Sequence, residues 1–171
     1  MPYASGTQPF NLYPEPEVPV SIALSELPRD PVAPDLTDPS IFPFWSDEHV
    51  RFADLDPLGH VNNNAIGVYF ENSRVALNRR YRRPAHAPEP LIVLGRLEID
   101  YRAEIHYPND LRVGIGILRI GRTSWTSGSG LFLGDRCCAT SVAVAVQIDP
   151  ESRRPLPLPD WLRASLTEFK L

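Results

Sequence analysis

The chain predicts an α+β fold in which one long helix packs on a curved antiparallel sheet of about five strands, and three observations carry that prediction. Through most of residues 91–148 apolar side chains alternate with polar ones, the period of strands with one buried face. One long segment, residues 63–81, instead places Ile66, Phe70, Ser73 and Leu77 at three- and four-residue spacing, the stripe of an amphipathic helix. The resulting order is strand, long helix, then four strands in succession, with no repeated βαβ unit to build a parallel sheet. A lone helix with a single apolar stripe must bury it against the concave face of the sheet.

At 171 residues, 43% of them hydrophobic, the chain suffices for one ordinary core and is short for two. Residues 1–44 hold ten of its 19 prolines, which breaks up helices and interior strands, so they form a Pro-rich extension ahead of the domain at 45–171. The prolines favour a mostly irregular tail, and Ile22, Leu24, Leu27, Ile41, Phe42, Phe44 and Trp45 supply the other reading, that its second half is apolar enough to lie along the domain or a partner subunit. Val50 and Phe52 alternate with polar neighbours and predict the first strand. Asn62, Asn63 and Asn64 then stand where the helix begins and can cap its free N–H groups. Arg79, Arg80, Arg82 and Arg83 suit the negative end of the helix dipole, and Pro84 stops the helix. Glu71 and Arg74 are spaced to pair on its surface.

Alternation resumes over Leu97, Ile99, Tyr101, Ala103, Ile105 and Tyr107, turns at Pro108-Asn109-Asp110, and continues through Leu111, Val113, Ile115 and Ile117. After a turn at Gly121-Arg122, residues 123–132 form the next strand. Gly134-Asp135 reverses the chain, and Val142, Val144, Val146 and Ile148 make the last strand, with small Ala143 and Ala145 on its other face. Pro155, Pro157 and Pro159 hold an extended segment, and Asp160 is placed to cap a short helix bearing Trp161, Leu162 and Leu166.

A formal charge of −4 argues against a nucleic-acid surface, where an extended basic field is expected, and no apolar run approaches the roughly 20 residues of a membrane span. The N-terminus lacks the basic and apolar regions of a secretion signal, so a cytoplasmic location is expected. Cys137 and Cys138 are adjacent and alternate in facing, which suits two packed thiols better than a disulfide. His49, His60, His86 and His106 show no paired ligand spacing and no Cys-x-x-Cys occurs, so no metal is expected.

The candidate site lies between the first strand and the helix. Phe52-Ala53-Asp54-Leu55-Asp56-Pro57-Leu58-Gly59-His60-Val61-Asn62-Asn63-Asn64 sets carboxylates and an imidazole before a helix N-terminus, where the dipole stabilises an electron-rich oxygen. Asp-x-Asp-Pro-x-Gly-His-Val-Asn-Asn, then Tyr-Phe-Glu-Asn-Ser-Arg in the helix, resembles the hotdog-fold acyl-CoA thioesterases of the 4-hydroxybenzoyl-CoA thioesterase type. Arg96-Leu97-Glu98-Ile99-Asp100-Tyr101, Tyr107-Pro108-Asn109-Asp110-Leu111 and Arg119-Ile120-Gly121-Arg122-Thr123-Ser124 follow in that family's order, so the resemblance covers about residues 45–165.

The resemblance implies hydrolysis of an acyl-CoA thioester without a cofactor, in a homodimer or homotetramer with active sites at subunit interfaces. Asp56 takes the position of the family's nucleophile or general base, and the N–H of Asn63, with that of Asn64, the position of the carbonyl-polarising donor. Gly59 lets the backbone approach the substrate. His60 matches a histidine of plant acyl-carrier-protein thioesterases, but Leu58 stands where those carry Asn, so a catalytic and a loop-bracing role for His60 both stay open. Arg119 and Arg122 fall at the turn that meets the coenzyme A phosphates. For Asp54 the reading is an acceptor for loop N–H groups, and Tyr69, Leu94 and Trp125 are candidates for the acyl pocket. Two other readings stand beside hydrolysis. Enoyl-CoA hydratases share the fold, although the R-specific ones separate Asp and His by four residues and Asp56 and His60 are separated by three. A non-catalytic acyl-CoA-binding module is the other.

Overall fold

The computed structural model describes residues 34–171. Its strands are β1 (Phe44–His49), β2 (Leu91–Tyr101), β3 (Asp110–Ile120), β4 (Ser124–Leu133) and β5 (Arg136–Ile148), with α1 at Asn63–Asn78 and α2 at Asp160–Thr167. They form one antiparallel sheet in the order β1-β3-β4-β5-β2, the hotdog arrangement. Ile66, Phe70 and Leu77, the apolar stripe of α1, are buried against Leu111, Val113, Leu131 and Ala139 at one end and Ile115, Trp125, Leu162 and Leu166 at the other. Small Ala143 and Ala145 lie on the sheet between the valines of β5, and Ala145 packs with the cluster around Trp125.

Several boundaries differ from the sequence reading. The first strand ends at His49, and Phe52 sits in a 3-10 turn (Phe52–Asp54) with 75% of its surface exposed. The Asp54 carboxylate accepts the Arg51 N–H at 2.8 Å and bends the chain there, which overrides the local alternation. β2 stops at Tyr101 rather than continuing to Tyr107; beyond it Ile105 is buried where its carbonyl accepts the Val61 N–H at 2.8 Å. α1 ends at Asn78, three residues short of Tyr81. Asp160 lies inside the first turn of α2, whose N-cap is Pro159. Arg74 forms no ion pair with Glu71 among the described residues, and its Nη1 is buried without a partner. The basic cluster serves the fold: Arg80 stacks over the Phe44 ring, and the Arg82 N–H donates to Ser165 Oγ at 3.0 Å, joining the end of α1 to α2.

Residues 1–33 of the extension lie outside the described residues, with Ile22, Leu24 and Leu27 among them. From Leu36 onward the chain runs against the outer face of the sheet, where Leu36 and Phe42 are buried with Phe132 and Trp45. Glycines make room for it. A Cβ on Gly114 would stand 2.4 Å from the Phe42 ring, and one on Gly130 would stand 2.6 Å from the Leu36 carbonyl oxygen. Backbone cannot yield as a side-chain tip does, so Gly130→Ala is expected to destabilise the fold by about 1–3 kcal/mol, read as a lower midpoint of thermal unfolding. An unchanged midpoint would mean that residues 34–43 do not hold this position.

Candidate functional site

Asp54 is the anchor of the site. It is 5% exposed and accepts from the Arg51 guanidinium at 2.7 Å, the Arg51 N–H at 2.8 Å and the Tyr69 hydroxyl at 2.7 Å. The Arg51 guanidinium, aided by the Tyr69 hydroxyl, holds this carboxyl well below the usual range, at about 2, against the opposing effect of burial. The Asp54 carbonyl also accepts the Asn62 N–H at 2.8 Å, so this residue ties the loop to the first turn of α1. Tyr69 is therefore a buried brace rather than a pocket wall.

Asp56 begins a tight reversal closed by a Leu55–Val61 bridge and a bond from the Asp56 N–H to the His60 carbonyl at 2.8 Å. The Gly59 N–H donates to the Asp56 carbonyl at 3.0 Å, and Gly59 has φ +82°, a left-handed conformation that glycine adopts without strain. Asp56 Oδ1 accepts the N–H groups of Leu58 at 2.8 Å and His60 at 3.2 Å. One oxygen thus fixes the carboxylate; Oδ2 makes no hydrogen bond among the described residues.

At the start of α1, Asn62 is the N-cap, and its side chain accepts the Asn64 N–H at 2.8 Å. Its carbonyl takes the Ala65 and Ile66 N–H groups. That leaves the Asn63 N–H without a partner among the described residues, at the positive end of the helix. Asp56, His60 and Asn63 line one cleft of about 290 Å³ with Tyr101, Arg102 and Glu104. A second, more apolar cavity of about 440 Å³ starts at Asn64 and runs along α1 between Val68, Leu77, Leu97 and Trp125. Leu94 and Trp125, both candidates for the acyl pocket, line this second cavity.

Arg119 and Arg122 lie elsewhere. His49 pairs with Asp110 at the start of β3, whereas Arg119 pairs with Thr126 near the other end, so roughly 20–30 Å of strand separates them from the Asp56 cleft of the same protomer. Tyr101, Arg102 and Glu104 escape sequence reasoning because they prolong an alternating stretch. Their signal is the end of β2, where the chain crosses to meet Val61. The structure also gathers His60, Glu104 and His106, whose ligand atoms lie within 4.8 Å of one another. Linear histidine spacing, the basis for expecting no metal, is blind to a cluster drawn from two loops.

A helix laid on a five-stranded antiparallel sheet in this strand order defines a hotdog protein, and in this one a fixed carboxylate shares a cleft with the Asn63 N–H at the helix N-terminus. The chain belongs to the thioesterase-like superfamily, whose family profile matches residues 50–166. Among solved structures it is similar to a predicted thioesterase from Bacillus stearothermophilus, at 30% identity and a TM-score of 0.69 over 75% of this chain and 96% of that one. It is also similar to a thioesterase from Thermus thermophilus complexed with coenzyme A and Zn, at 30% identity and a TM-score of 0.67 over 76% and 96%. In sequence it is similar to the uncharacterized protein YsmA of Bacillus subtilis (strain 168), 26% identical over 129 residues, which cover 73% of this chain and 86% of YsmA. Among the described residues no helix is long and apolar enough to cross a membrane.

Proposed function

We propose that this protein is an acyl-CoA thioesterase that hydrolyses a thioester to a free carboxylic acid and coenzyme A at the Asp56 cleft. The observation that carries the reading is the pairing, in one cleft, of an Asp56 oxygen without a hydrogen-bond partner and the unpartnered Asn63 N–H. With the thioester carbonyl oxygen on the Asn63 N–H, Asp56 Oδ2 either removes a proton from the attacking water, or attacks the carbonyl carbon itself to leave, once the thiolate has gone, a mixed anhydride that water hydrolyses to the free acid and the Asp56 carboxylate. The tetrahedral oxyanion is then stabilised by the N–H and the helix dipole, and the thiolate departs as coenzyme A. His60 lies in the same cleft and takes part in positioning the attacking water. Gly59 keeps that side of the reversal free of a side chain, and Asn64 borders the apolar cavity that takes the acyl group.

The thermophilic neighbour complexed with coenzyme A supports that carrier as leaving group. β2 is an edge strand carrying exposed Leu94 and Leu97, which suits antiparallel joining of two copies into a homodimer. Such joining sets the Arg119–Arg122 turn of one copy on the side of the Asp56 cleft of the other, where the guanidinium groups meet the coenzyme A phosphates. The test is thiol release from acetyl-, hexanoyl-, palmitoyl- and benzoyl-CoA. Turnover of at least one is expected. A folded protein that releases thiol from none of them would overturn the reading in favour of a binding module.

A further inference from the structure

We propose that His60, Glu104 and His106 form a binding site for a divalent transition-metal ion of the Zn2+ class, which ties the Asp56 loop to the segment after β2. Two imidazoles and one carboxylate make a nitrogen–oxygen donor set suited to Zn2+ and its late first-row neighbours. The spacing fits as well. Glu104 Oε2 lies 3.5 Å from His60 Nε2 and 3.9 Å from His106 Nε2. Ligand atoms at about 2.0–2.2 Å around a tetrahedral ion stand roughly 3.3–3.6 Å apart. Small rotations of Glu104 and His106, both exposed, close the difference.

An ordinary ion pair explains the cluster less well. Elsewhere in the chain an imidazole and a carboxylate, His49 and Asp110, meet directly at 2.6 Å. Here two imidazole Nε2 atoms converge on one carboxylate oxygen and neither closes to an ordinary hydrogen-bond length. The imidazole rings are edge to face, with centroids 4.9 Å apart.

The backbone beneath the three residues is pinned. The Glu104 carbonyl accepts from Arg136 Nη2 at 3.1 Å, and the His106 carbonyl accepts from Asn109 Nδ2 at 2.8 Å. Ile105 between them is buried, so its two neighbours face outward together. The Val61 N–H on the Ile105 carbonyl brings His60 alongside. His60 and Glu104 line the Asp56 cleft, which places the ion at its mouth with a coordination position left for solvent.

The test is a Zn2+ titration of the full chain, freed of any histidine tag and stripped with chelator, by calorimetry and by competition with a chromogenic zinc indicator. One Zn2+ per chain is expected, with affinity lowered about 100-fold in His106→Ala and unchanged in His49→Ala. Zn2+ is expected to raise the thermal midpoint of the wild type and leave that of His106→Ala where it was. Absence of stoichiometric binding, or equal binding by folded His106→Ala, would overturn the proposal. The readout is independent of thioester turnover.

Discussion

Asp56→Asn is expected to lower thioester turnover by about 10²–10⁴-fold, while binding of the acyl-CoA and the unfolding midpoint stay near those of the wild type. The substitution is close to isosteric, and an amide oxygen can still accept the Leu58 and His60 N–H groups that fix Oδ1, so the reversal around Gly59 survives. What changes is Oδ2. An amide nitrogen in its place can neither take a proton from water nor attack a carbonyl. The check is kcat and KM for the best thioester beside a direct binding measurement, with the loss falling on kcat. Wild-type turnover by the variant would remove Asp56 from the mechanism.

Asp54→Ala is expected to cost about 3 kcal/mol of stability, the largest effect on the fold among single changes in this loop. Its carboxylate is the buried acceptor for the Arg51 N–H, the Arg51 guanidinium and the Tyr69 hydroxyl. Without it the Tyr69 hydroxyl is left buried and unpaired, whereas the largely exposed Arg51 side chain can return to water, which moderates the loss. For a domain of this size the midpoint falls by about 6–12 °C.

The same carboxylate predicts a pH dependence. Its folded pKa of about 2 lies below the ordinary 3.8, so the folded state binds the proton less well than the unfolded state. The stabilisation, roughly 2 kcal/mol, is complete above pH 3.8 and lost as pH falls from there towards 2. Denaturant unfolding between about pH 5 and pH 2 is expected to show this loss in the wild type and not in Asp54→Ala. Parallel curves for the two proteins would contradict it.

Much of the fold is legible in the sequence because β3 and β5 set apolar side chains at alternate positions over much of their length, while α1 is the long segment with a helical stripe; β4, buried at eight consecutive positions, has no such alternation and is bounded instead by its turns. The Asp56 reversal is legible too, since Asp, Pro and Gly in that order have few other uses. What escapes is tertiary. Phe52 alternates like a strand residue, but a carboxylate two positions on captures the backbone before it. The glycines at 114, 116, 128 and 130 are plain in the sequence, yet their reason is the approach of Leu36, Phe42 and Leu171 from distant parts of the chain. The cluster of His60, Glu104 and His106 depends on the hydrogen bond joining Val61 to Ile105, a contact that no local spacing encodes.

The most direct test of the central claim is product analysis by mass spectrometry after incubating the protein with the thioester it turns over fastest and with an enoyl-CoA. Hydrolysis predicts free acid and coenzyme A in equal amounts from the first substrate and no 3-hydroxyacyl-CoA from the second. Hydrated enoyl-CoA with its thioester intact, or both substrates recovered unchanged from folded protein, would contradict it.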